Sequence, residues 1–307
     1  MKNGWYILNY HNISWEENIY LRGIGGSFPP DIFESHIEYL SKHGNIVSIK
    51  DGFKKYISSD IKEPLISIWF DDGFRAVRKY ALPIIEDNNA TAAISICSRF
   101  LLKKELFWRL KLSYISQIDS LRFLRGKLRK FGYKTSTNVN SFVLDNFSDE
   151  VLKAIDEVYN DFSNQYLRDD AFRIFDDVAG IKILQDHGWT IANHSAAHYP
   201  ISEDSYFDHF TEEYEECEKV IKHYFNMDSK FWVLPFDRTS KRAKKLISHF
   251  NKINLKKRDI VLLEDKVNKY PELIENVLFR IVPPNVDGRQ LINHLNKINY
   301  YEGGKLE

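Results

Sequence analysis

The sequence predicts an α/β fold of parallel strands interleaved with helices, curled into a barrel in preference to an open sheet. Three observations carry this. Short apolar runs, of which residues 65–70 and 90–96 are the clearest, end in turn signals, as strands buried on both faces do. Helix-periodic stretches with their own start and stop residues separate most of these runs. The strand count is about eight, as many as one barrel domain uses, and the 307 residues suffice to build it.

In order along the chain, residues 5–10 read as a first strand that delivers His11 at its carboxyl end. Pro29, Pro30 and Asp31 open a helix with Phe33, Ile37 and Leu40 on one face and Gly44 as its stop. Residues 46–49 read as a short strand and 64–70 as a buried one ending at Asp71, Asp72 and Gly73. A helix through Val77, Ala81 and Ile85 follows, with Pro83 implying a kink or a late start. The alternation stops between about 101 and 173, a stretch that reads as a mostly helical insertion within a single domain. Its cluster of Arg122, Arg125, Lys127, Arg129 and Lys130 reads as a solvated helix face, with contact to an anionic partner as the alternative.

Strands resume at 189–192, 230–234, 259–263 and 278–282. Helices are expected from near Ser202, over 240–250 and over 288–298. Phe207, Phe210, Tyr214, Cys217, Ile221 and Tyr224 form the inner stripe of the first of these.

Composition narrows the function. Lys plus Arg and Asp plus Glu both number 43, so bulk charge argues against a nucleic-acid or membrane-surface binder. The 17 Tyr, 21 Phe and 6 Trp suit a sugar-binding cleft, although core packing claims most such residues in any globular protein. The first ten residues lack the apolar core and cleavage site of a signal peptide, and no run approaches the ~18 apolar residues of a membrane span. Two cysteines, Cys97 and Cys217, exclude a disulfide scaffold and form no paired-Cys metal spacing. A cytoplasmic protein is therefore expected.

Chemistry concentrates at two strand ends. Asp71 and Asp72 abut a hydrophobic strand, so their charges require pairing, solvation or a cation; an ordinary Asp-Asp-Gly turn fits the same residues. His194 and His198 follow another strand four residues apart, a spacing that one helical turn would bring to one side. One carboxylate from the first strand end and the two imidazoles from the second offer three N/O ligands of the kind that hold Zn²⁺ or a related divalent ion with positions open to water and substrate.

Phe70-Asp71-Asp72-Gly73 together with His194-Ser195-Ala196-Ala197-His198 resembles the two signature motifs of the polysaccharide deacetylases, the NodB homology group or carbohydrate esterase family 4. Arg75, then Tyr80 to Pro83, and Leu184 to Gly188 leading into His194 agree in order and spacing, so the resemblance covers most of the chain outside the insertion. It implies a distorted, incomplete (β/α) barrel and metal-dependent removal of N-acetyl groups from an N-acetylated saccharide. Carried onto this chain, Asp72, His194 and His198 are the metal ligands, for Zn²⁺ in the first instance with Co²⁺, Ni²⁺ or Mn²⁺ as alternatives. Asp71 is the general base that takes a proton from the attacking water.

Trp232 to Asp237 stands in the place of the third motif, where the backbone N–H of Phe236, after Pro235, is expected to hold the oxyanion. Val233 replaces the Arg that in many members orients the base, and Asp237 replaces a Gly. The usual carboxy-terminal Leu-x-His is not recognisable, and His294 reads as a helical surface residue. Tyr10-His11 resembles the amino-terminal Tyr-His of the poly-N-acetylglucosamine deacetylase branch, which makes His11 the expected general acid. Leu278-Phe279-Arg280 resembles that group too, and leaves Arg280 a salt-bridging residue of unassigned role. The departures motivate a rival reading, a non-catalytic saccharide-binding relative.

Overall fold

The computed structural model describes residues 1–135, 138–200, 207–236, 259–262, 265–271 and 277–300. Its main sheet has eight strands, and every pairing within it is parallel. The path runs β1 (Gly4–Tyr10), β5 (Pro64–Phe70), β6 (Ala92–Ile96), β7 (Thr190–Asn193), β8 (Phe231–Val233), β9 (Asp259–Leu262), β10 (Val277–Phe279), with β4 (Asn45–Ile46) paired to β5. The sheet curls until its two ends meet at one parallel bridge, Leu8 to Ile281, just past β10. This is the distorted, incomplete (β/α) barrel expected from the sequence.

Period-two alternation sorts each strand into two faces. Trp5, Ile7, Leu65, Trp69, Ala93, Ala192, Phe231, Val233, Val261 and Leu278 point inward and pack as the barrel core. Tyr6, Leu8, Ile66, Ile68, Phe70, Ala92 and Ile94 point outward into the larger cluster beneath the helices. That is why these strands read as continuous apolar runs. The same alternation carries Asn9, Asp71, Ser95, His194 and Arg280 inward, as a polar layer at the carboxyl mouth of the barrel.

The helices follow the sequence with a few corrections. Helix α1 (Pro30–His43) buries Phe33, Ile37 and Leu40 and ends where the Gly44 N–H donates to the Leu40 carbonyl. The strand expected at 46–49 is only Asn45–Ile46. The Ser48 side chain accepts from the Asp51 N–H and starts helix α2 (Ile49–Ile57) there, so the cap overrides the β propensity of Val47 and Ile49. Before Pro83 the chain winds as a π-helix, Val77–Ala81, and continues as α3 (Leu82–Asp87), which absorbs the missing donor.

A short pair, β2 (Asn12–Ile13) with β3 (Ser27–Phe28), was not legible in the sequence. Between β6 and β7 stand helices α4 (Ser98–Leu101), α5 (Trp108–Gln117), α6 (Leu121–Lys130), α7 (Val139–Asp145), α8 (Asp149–Phe162), α9 (Gln165–Phe172) and α10 (Val178–Asp186). Helix α11 is described over Phe207–Phe225, with Tyr214, Cys217 and Ile221 buried. Its expected start near Ser202, the helix at 240–250 and Asp237 lie outside the described residues. Among the described residues no helix is long and apolar enough to cross a membrane.

Candidate metal centre

Each ligand-bearing side chain sits just past a strand end. Asp72 follows β5 with φ +70°, and His194 follows β7. His198 does converge on His194, but not along a helical turn. Asn193 Oδ1 accepts from the Ser195 N–H at 2.9 Å, and Ser195 Oγ accepts from the His198 N–H at 2.9 Å. Ser195 and His198 both take positive φ, +71° and +57°. Side-chain bonds of this kind replace the helical ladder and fold the segment into a tight turn. Four of the site's residues, Asp72, Ser195, His198 and Phe236, occupy the left-handed region that L residues avoid, a cost usually met where function needs it.

The three ligand atoms form a compact triangle. His194 Nε2 lies 3.1 Å from His198 Nε2 and 3.5 Å from Asp72 Oδ1, and His198 Nε2 lies 3.3 Å from Asp72 Oδ1. Ligands about 2.1 Å from a tetrahedral cation stand about 3.4 Å apart, so the spacing fits a first-row divalent ion. The chemistry agrees. Among the described residues Asp72 Oδ1 is buried without a hydrogen-bond donor, as an oxygen reserved for a cation would be. His194 Nδ1 lies 3.1 Å from the Val233 carbonyl, which only accepts, so Nδ1 carries the proton and Nε2 presents its lone pair.

The electrostatics point the same way. Burial, then the charge of Asp71, pushes the Asp72 carboxyl up to about 8, against the opposing pull of Arg109 and Arg280. Burial holds His194 down to about 4, and burial with His194 alongside holds His198 well below its usual value. Both imidazoles are therefore neutral and able to ligate, and Asp72 needs a positive partner to ionise. Asp72, His194 and His198 could all hold one ion.

Asp71 is held differently. Its Oδ1 accepts from Ser95 Oγ and, at 2.7 Å, from Arg280 Nη1; its Oδ2 accepts from Asn9 Nδ2 at 3.0 Å. Burial alone would raise this carboxyl, but Arg280, His194 and His11 reverse the effect and hold it well below the usual range. Its Oδ2 faces the cluster, 3.8 Å from His194 Nε2 and 3.9 Å from His11 Nε2. The imidazole of His11, 29% exposed, thus reaches the same cleft. Gly26, at φ +83°, closes beside it, where a Cβ would stand 3.7 Å from the ring.

Phe236, half-buried at φ +57°, packs its ring edge-on at 4.6 Å to His198 and under the guanidinium of Arg109 from α5. Trp108, also from α5, lies 5.6 Å from Phe236, so the segment between β6 and β7 supplies one wall of the cleft. Pro235 is buried. His294 is helical as expected but half-buried, and its Nε2 is enclosed. It lies outside this cluster.

Three contributors were missed or left without a role in the sequence reading: Asn9, Ser95 and Arg280. The signal was present as polar residues at inward positions of otherwise apolar strands. Val233 faces the barrel core with its side chain, while its carbonyl accepts from both His194 Nδ1 and the Tyr214 hydroxyl. The guanidinium absent at 233 is thus present at Asp71, delivered by residue 280.

A family model described as polysaccharide deacetylase matches residues 138–252, a segment holding His194, His198 and Pro235. A search of curated proteins by sequence returned no match. Among solved structures, the chain is similar to the Streptococcus pyogenes deacetylase PplD in complex with acetate, at 12% identity and TM-score 0.60, covering 95% of this chain and 98% of that one. It is similar to IcaB from Ammonifex degensii at 13% identity and TM-score 0.59, covering 96% and 97%. A de-N-acetylase from Aggregatibacter actinomycetemcomitans matches at 13% identity and TM-score 0.59, covering 95% and 99%. At these identities the likeness is one of fold.

Proposed function

We propose that this chain is a metal-dependent hydrolase that removes the N-acetyl group from an N-acetylated saccharide. The observation that carries the reading is the buried triangle of Asp72, His194 and His198 with a second, separately held carboxylate, Asp71, against it. A divalent cation at the triangle, Zn²⁺ by the N₂O donor set, supplies Lewis acidity, acidifying water and polarising an acyl oxygen.

The chain's own residues divide the remaining work. Asp71 Oδ2, whose partner oxygen is tied to Ser95 and Arg280, accepts the proton of the attacking water. His11 Nε2, on the solvent side of Asp71, returns a proton to the departing amine as the C–N bond breaks, so that acetate and a free amine leave. The Phe236 N–H is the proposed donor to the oxyanion. The likeness of Tyr10-His11 to the amino-terminal motif of the poly-N-acetylglucosamine deacetylases favours N-acetylglucosamine as the sugar unit acted on.

The presence of Arg280 beside Asp71 favours a working enzyme over a non-catalytic saccharide binder, because a bare binding site has no need of an oriented base. The test is acetate release from N-acetylglucosamine oligomers, with and without chelator. Release that the chelator abolishes and added Zn²⁺ restores is the expected result. Oligomers that bind without any acetate released would establish the binder instead.

A further inference from the structure

A separate concavity of about 340 Å³ lies between the chain that follows His11, the turn and helix that follow Asp72 and Gly73, and the end of α9. Its walls include Asn12, Arg75, Lys79, Tyr80, Asp170 and Arg173. The volume falls in the range of small-molecule sites. The seam that builds it is well defined. Phe74 and Phe175 form an antiparallel bridge, and the Arg75 N–H donates to the Ile174 carbonyl at 3.0 Å, which sets Arg75 and Arg173 on neighbouring strands of chain.

The basic residues along this seam differ in one respect. Arg78 makes two hydrogen bonds to Asp176, at 2.8 and 3.0 Å, and Lys103 donates to the carbonyls of Phe172, Phe175 and Asp176. Lys79 and the Tyr80 hydroxyl share Glu16 Oε1, at 2.5 and 2.8 Å, which neutralises that pair. Arg75, half-buried, has an enclosed Nε without a partner among the described residues. With Glu16 and Lys79 cancelling, the remaining charged residues of the lining are Arg75 and Arg173 against one carboxylate, Asp170.

We propose that this cavity is an anion subsite that takes a phosphoryl group, with Arg75 and Arg173 as its cationic contacts. Guanidinium forks match the paired oxygens of phosphate better than an ammonium does. Asn12 directly follows His11, and Arg75 lies three positions after Asp72, so the phosphoryl group belongs to a phosphorylated N-acetyl sugar whose acetamide lies at the metal centre. The subsite stands on the cavity alone; its link to the sugar rests on the proposed deacetylase reading.

The test is calorimetric titration of the full chain with inorganic phosphate, N-acetylglucosamine and N-acetylglucosamine 1-phosphate. It is repeated after chelator treatment, so that no metal contributes to phosphate binding. The expected order is sugar phosphate tighter than phosphate, and phosphate tighter than the neutral sugar. Arg75→Gln or Arg173→Gln should weaken both phosphorylated ligands at least tenfold, with Arg75→Lys intermediate and the melting temperature unchanged. Phosphate affinity within twofold of the parent in both Gln variants overturns the subsite. Arginine-dependent phosphate binding without acetate release from any sugar retains the subsite and removes the deacetylase reading. Acetate release with a KM indifferent to phosphate and to Arg75 removes the subsite alone.

Discussion

Arg280 Nη1 lies 2.7 Å from Asp71 Oδ1, and both side chains are shut off from solvent. The bond spans the closure of the curled sheet, from the end of β5, the neighbour of β1, to the segment after β10, at the level where the barrel core gives way to the reactive cleft. It ties the ionisation of the proposed base to the closure of the fold. Arg280→Met would leave a buried carboxylate short of its cation, with a stability loss of about 3–5 kcal/mol in chemical denaturation. Asp71 is depressed in the folded protein, so its contribution to stability is present above its unfolded value near ~3.9 and is lost as pH falls through the lower folded value. Without Arg280 burial dominates and the carboxyl rises. The acid limb of kcat/KM should therefore move to higher pH in Arg280→Met and less in Arg280→Lys. An unmoved limb would show that Arg280 does not set Asp71.

The two adjacent carboxylates should separate cleanly on substitution. Asp71→Asn should keep bound metal by elemental analysis while acetate release falls on the order of 10²–10⁴-fold. His194→Ala should lose both. Asp72→Asn should bind metal weakly, since an amide oxygen carries no charge to offset the cation. Full activity in Asp71→Asn would remove it as the base.

Metal affinity should rise with pH, and Asp72 should govern the slope. In the metal-free protein its folded value near about 8 exceeds the unfolded one, so its stability contribution is intact below pH ~4 and lost as pH rises through about 8. A cation replaces that proton, so apparent affinity should climb by up to ~tenfold per unit between pH 6 and 8 and then level off. His194, held to about 4, adds no competing proton in that window. Competition with a calibrated chelator from pH 6 to 9 measures this directly; a flat profile would contradict the assignment of Asp72.

Ser195→Ala should loosen the turn that brings His198 to His194. The buried His198 N–H loses its 2.9 Å acceptor while the residue at 195 keeps its positive φ. The expected cost is about 1–3 kcal/mol, with metal affinity weakened ~10–100-fold through misplacement of His198. Thermal melting and metal titration read the two effects separately. Unchanged affinity alongside a lowered melting point would confine Ser195 to stability.

The strands were legible because burial on both faces leaves an apolar run that few other structures produce. Where the reading slipped, a competing local interaction prevailed. The Ser48 cap turned part of an expected strand into helix α2, and the Asn193 and Ser195 side chains made a turn where histidines four apart suggested a helix. The insertion could be expected to form one side of the cleft, but which residues of α5 line it was not legible, because neighbouring aromatic and basic residues look alike in a core, on a surface or around a site.

By itself the sequence settled which residues are chemically able to act: the carboxylates and imidazoles at strand ends, and the alternation that puts strand ends together. Residue pattern alone does not separate Asp71 from Asp72, since both are aspartates on consecutive positions; only the resemblance to the polysaccharide deacetylases implied their difference. That difference arises because β5 aims Asp71 inward at Asn9, Ser95 and Arg280, whereas the positive φ at Asp72 turns its oxygen toward the two imidazoles. Arg280 is 209 residues from Asp71 in the chain. Local pattern carries no record of so distant a partner; curling the sheet until Ile281 meets Leu8 creates it.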